Sequence, residues 1–146
     1  MRLAHITVAV GGLALSLLSC RASTELDPVL ERRPGVISLG SAPSVTVSTE
    51  DAVGVAILLS VITWGGGCVR QGDTEAHVVG LTADVTPYDS VYVYLPPRMA
   101  CTSDLRAYTH QTRISFATPG VATVRVNGRA EPGSSAITVE RTIQIH

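Results

Sequence analysis

Apolar and polar positions alternate with a period of two through most of the chain after residue 44. Val45 and Val47 alternate with Thr46 and Ser48. Val53, Val55, Ile57, Leu59 and Val61 make one apolar face of a long strand, with a mixed face opposite. Leu81, Ala83 and Val85 alternate with Thr82, Asp84 and Thr86, and Val91, Val93 and Leu95 with Tyr92 and Tyr94. Tyr108, His110, Thr112, Ile114 and Phe116 share one phase, and Val124 and Val126 alternate with Arg125 and Asn127. Ile137, Val139, Ile143 and Ile145 close the series. A period of two sends alternate side chains to opposite faces of a strand. "GGG", "TPYD", "LPP", "TPG" and "EPGSS" supply turn signals between the runs. The pattern predicts an all-β fold, a β-sandwich of seven or eight antiparallel strands over residues 35–146. One face of each sheet is expected to be buried and the other wet.

The first residues break this pattern. Residues 6–18 carry no charge, and Arg2 precedes them. Thirteen uncharged residues fall short of the roughly 20 that a helix needs to span a bilayer. They fit the apolar core of an export signal better than a membrane span. The run ends in "LLSC", residues 17–20, which resembles the lipobox of bacterial lipoproteins. The resemblance implies that residues 1–19 are a signal peptide and that Cys20 is the lipid attachment site. In that family the thiol takes a diacylglycerol before cleavage, and the freed amine often takes a further acyl chain. One chain holds only marginally, at about 0.8 kcal/mol per buried methylene, whereas two or three hold firmly. The implied partner is therefore a membrane, reached through a lipid anchor. The implied location is the cell envelope, at the outer membrane or cell surface. Arg21 lacks the acidic character associated with inner-membrane retention in proteobacterial lipoproteins. Residues 20–34 are polar, contain Pro28 and Pro34, and read as a tether.

"FATPGVATVRV", residues 116–126, resembles a late strand pair of bacterial immunoglobulin-like extracellular domains. Trp64 precedes both later cysteines, unlike the Cys–Trp–Cys order of antibody domains, so the resemblance extends to architecture alone.

Composition narrows the function classes. The net charge is −1, and the eleven basic residues, all Arg, are scattered among acids, which gives no footprint for nucleic acid. With Cys20 acylated, Cys68 and Cys101 remain. In an oxidising compartment such a pair is expected to form one disulfide. Both sit in turn-rich stretches, so a staple between loops is expected.

Candidate chemistry is sparse. Asp73, Glu75 and His77 share one face of a strand and could offer carboxylate and imidazole ligands to a metal. The simpler expectation is a solvated face, with no metal and no cofactor. His110, in the phase of Ile114 and Phe116, is expected at the sandwich edge. No nucleophile elbow, phosphate loop or dinucleotide fingerprint is present. Tyr88, Tyr92, Tyr94 and Trp64 could form an aromatic patch for a sugar. The leading expectation is a non-enzymatic lipoprotein, structural or binding an envelope protein or glycan. A carbohydrate-binding module using the tyrosines is the first alternative, and a metal-dependent enzyme the second.

Overall fold

The computed structural model describes residues 27–40, 43–130 and 135–146. The expected signal peptide and Cys20 lie outside them. The described chain is all-β, with nine strands and no helix. In chain order these are β1 (Val29–Pro34), β2 (Val45–Thr46), β3 (Glu50–Asp51), β4 (Ile57–Gly65), β5 (Val69–Val79), β6 (Thr82–Tyr94), β7 (Arg106–Ile114), β8 (Gly120–Arg129) and β9 (Ala136–Ile145).

The strands form two sheets. One has six strands in the order β1-β6-β8-β9-β3, with β5 on the other side of β6; the second has three, β2-β4-β7. Their inner faces share one core. Ile57, Leu59, Val61 and Ile114 come from the small sheet, and Val85, Val124, Val126, Ile143 and Ile145 from the large one. Ile37 and Phe116, both buried, fill the ends. Apart from Ile37, these are the residues that the alternation marks as inward.

Three expectations are corrected. First, Val29–Pro34 lies within the expected tether but is a strand, antiparallel to β6 with Leu30 opposite Tyr92 and Pro34 opposite Tyr88. Its sequence, VLERRP, has no apolar alternation because both faces are largely exposed. Second, Val53 and Val55 precede β4 and are exposed. Gly54 takes a φ of 78° there, a turn conformation that a side chain resists.

Third, the expected turn at "TPYD" is the middle of a 13-residue strand, β6. Proline normally breaks such a strand because it lacks an N–H. Here the Pro87 carbonyl accepts from Gly35 N at 2.8 Å. The nitrogen and carbonyl of one strand residue point the same way, so the missing donor of Pro87 faces the seam between two partners. β8 pairs with β6 over Thr82 to Val85, and β1 pairs from Tyr88 onward. Proline costs the ladder nothing at that seam.

The pairing is mostly antiparallel, but β6 with β8 and β3 with β9 are parallel. A parallel pair needs a crossover connection, and β7 in the opposite sheet provides it. The β5–β6 hairpin closes through a two-residue loop, Gly80–Leu81, with Gly80 at a φ of 58°.

The two sheets meet along a closed circuit. Val36, just past β1, bridges to Trp64 on β4 and to Arg129 on β8. β4 pairs with β7. β7 lies against β5, where Tyr108 donates to the Val69 carbonyl at 2.7 Å and Gln71 to the Thr109 carbonyl at 2.8 Å. β5 and β1 both pair with β6. Five segments thus surround one point in the interior.

Candidate functional site

That interior point is polar. His110 on β7 is 1 % exposed and Asp89 on β6 is 1 % exposed. His110 Nε2 lies 3.1 Å from Asp89 Oδ1 and 3.1 Å from Thr63 Oγ1 on β4. Its Nδ1 lies 3.1 Å from Thr74 Oγ1 on β5. Gly35, following β1, completes the ring: a methyl group on its Cα would sit 2.8 Å from Asp89 Oδ2. Among the described residues, that oxygen has no hydrogen-bond partner. The backbone passes so close to the Thr63 side chain and the Asp89 carboxylate that a side chain at residue 35 collides with both.

With a carboxylate as acceptor, Nε2 carries a proton in either charge state of the ring. Nδ1 then accepts from the Thr74 hydroxyl in the neutral ring, or donates to its oxygen in the charged one. The sequence places His110 in the inward phase, and the structure moves it from the expected edge to the centre. An aspartate–histidine pair beside two hydroxyls resembles part of a hydrolytic constellation. Both groups are buried, and the pair links β6 to β7 across the two sheets.

The acidic stretch on β5 is occupied from within. Arg32 on β1 reaches across β6 to Asp73, donating from Nε to Oδ1 at 2.9 Å and from Nη2 to Oδ2 at 2.8 Å. Nη2 also donates to Glu75 Oε1 at 2.6 Å. The guanidinium lies over the Tyr88 ring, 3.2 Å from its centroid. The hydrogen bond from Arg32 holds the Asp73 carboxyl below its ordinary value, and the bond to Asp73 raises Arg32 in turn. A register shift in β5 between Gln71 and Thr74 brings Asp73 to this position. His77 stays exposed, further along β5. Among the described residues, no three His, Cys, Asp or Glu side chains converge as a metal set would.

The aromatic residues divide. Tyr88, Tyr92 and Tyr94 share the outer phase of β6, whereas Trp64 belongs to β4 in the other sheet. Arg32 covers Tyr88, and Arg70 stands 5.0 Å from the Tyr92 centroid. Two of the three rings are thus already stacked by cations. Two surface depressions, of about 280 and 440 Å³, have lining residues such as Ser38 and Arg141 in one and Leu58 and Arg113 in the other; neither contains a tyrosine.

Cys68 and Cys101 form a disulfide, with 5.0 Å between their α-carbons. It joins the β4–β5 turn to the loop between β6 and β7. Backbone bonds flank it: Gly67 N donates to the Thr102 carbonyl at 3.2 Å, and Tyr92 N to the Cys68 carbonyl at 3.0 Å. Arg106 and Asp104 pair in the same loop. Hydrogen bonds from Thr102 and Arg106 lower the Asp104 carboxyl.

Comparison with protein-family models, curated proteins and solved structures finds no match for this chain.

Proposed function

We propose that this chain is a lipid-anchored protein of the cell envelope, whose β-domain is structural or binds a partner rather than catalysing a reaction. The observation that carries the reading is the Cys68–Cys101 disulfide behind a lipobox-like segment. Disulfides persist in oxidising compartments. A lipobox directs a chain to such a compartment, so the disulfide supports the same reading.

The non-catalytic reading rests on what the reactive groups already do. Arg32 engages Asp73 and Glu75. His110 and Asp89 engage each other inside the core. Apart from His77, which stays exposed, these candidate acids, bases and ligands hold one strand against another.

The finer reading of the fold is an immunoglobulin-like sandwich. Two sheets around one core and the β7–β8 passage at residues 116–126 favour it. The parallel β6–β8 pair departs from the antiparallel sheets usual in such sandwiches.

Fractionation tests the anchor. Native protein is expected with the membranes, and Cys20→Ser in the soluble fraction. Equal partitioning of both would refute lipid anchoring through Cys20.

A further inference from the structure

The end of the domain nearest the anchor has an unusual surface. β1 begins there at Val29, paired with Tyr94 at the end of β6. The loop from β6 to β7 leaves and returns there, stapled by Cys68–Cys101. Six of the twelve exposed large apolar side chains among the described residues lie at this end: Val29, Leu30, Val93, Tyr94, Met99 and Leu105. Leu105 is 66 % and Val29 51 % exposed. Two ion pairs flank this surface, Arg33 with Glu31 and Arg106 with Asp104. Apolar groups projecting from one end suit a bilayer interface, where a tyrosine can keep its ring in the apolar layer and its hydroxyl in the headgroups.

The length of the linker decides what covers this surface. Eight residues, 21–28, separate Cys20 from Val29. Fully extended, such a linker reaches only about 30 Å, and a flexible one averages about 16 Å. The apolar end is therefore the part of the domain that the anchor holds closest to the lipid.

We propose that the domain rests on the phospholipid bilayer through this end, with Val29, Leu30, Val93, Tyr94, Met99 and Leu105 in the interface. The inference builds on the lipid anchor proposed above and adds orientation to it. Contact through one end fixes the strands at a steep angle to the membrane. It also presents the far end, with Val53 and Val121, to the envelope space.

Hydrogen exchange of the acylated full chain in protein-free phosphatidylethanolamine–phosphatidylglycerol vesicles tests it, with soluble Cys20→Ser as the reference. Residues 95–105 lie between strands, so their amides report on coverage. Slowed exchange is expected over 95–105, with no change over 52–56 and 79–82. A second variant, Met99→Asp with Leu105→Asp, changes exposed positions only and is expected to abolish the slowing while remaining folded and acylated. Absence of the acyl mass would refute the anchor itself. An acylated chain with unchanged exchange over 95–105 would leave the anchor standing and overturn the bilayer contact. Slowing seen only in native envelopes would assign this end to a protein partner and overturn it equally.

Discussion

Asp89 and His110 meet 3.1 Å apart in the interior, on strands from opposite sheets. Each is 1 % exposed. A buried ion or hydrogen-bonded pair contributes little net stability against an apolar replacement of equal volume. Removing one partner, however, strands the other. His110→Leu is expected to cost about 3–5 kcal/mol, because it leaves the Asp89 carboxyl buried without its main partner. The double variant Asp89→Leu with His110→Leu is expected to cost much less than the sum of the single changes. Urea unfolding of the four proteins measures the coupling; additive costs would show that the two residues act independently.

Gly35 is expected to resist even alanine. Its Cα faces the Thr63 side chain and Asp89 Oδ2, with the latter 2.8 Å from where a methyl would be. Overpacking of this kind costs about 1–3 kcal/mol. Gly35→Ala is therefore expected to lower the urea midpoint, with Thr63→Ser recovering part of the loss by removing the methyl that collides. Unchanged midpoints would contradict the close approach of β1 to the polar cluster.

The disulfide is expected to stabilise mainly by restricting the unfolded chain. Its sequence separation is 33 residues. For a loop of that size the chain-entropy estimate is roughly 3.5 kcal/mol. Unfolding with and without reductant measures it. Reduction is also expected to speed exchange first in residues 95–105, because the staple holds that loop to the β4–β5 turn.

The surface clamp of Arg32 on Asp73 and Glu75 is expected to matter modestly and to depend on pH. Exposed ion pairs are weak and screened by salt. Asp73 is lowered first by the hydrogen bond from Arg32, and Asp104 first by that from Thr102. In the unfolded chain both groups bind protons at higher pH than in the fold. Their contribution is therefore fully present above about pH 4, the ordinary aspartate value, and is lost as pH falls through the lowered values. Asp73→Asn is expected to lower the melting temperature by a few degrees at neutral pH. That difference should vanish in strong acid. A difference that persists there would trace the effect to packing instead.

Much of the framework is legible in the sequence, for a physical reason. Where a strand has one buried and one wet face, as at Ile57–Gly65 or Ala136–Ile145, alternation records it residue by residue. The signal fails where that condition fails. Val29–Pro34 is exposed on both faces, so nothing in VLERRP marks it as a strand. Pro87 reads as a turn because the seam that accommodates it is created by strands distant in sequence. Continued through Pro87, the inward phase of Ala83 and Val85 falls on Asp89, which a turn assignment leaves in solvent. His110 carried the right phase, but its depth depends on five segments meeting. Likewise, Asp73 and Glu75 look like free ligands until Arg32 arrives from 41 residues away. The exposed apolar end at Val29, Met99 and Leu105 leaves no mark in the sequence because these residues come from separate loops and edges.

The central proposal is that fatty chains on Cys20 hold this domain at a membrane. Intact and peptide mass spectrometry of protein extracted from the membranes of its own cells tests it most directly. The expected N-terminal peptide begins at Cys20 and carries the mass of a diacylglyceryl group, with or without an added amide-linked acyl chain. A polypeptide that retains residues 1–19, or a mature Cys20 with an unmodified thiol, would contradict it.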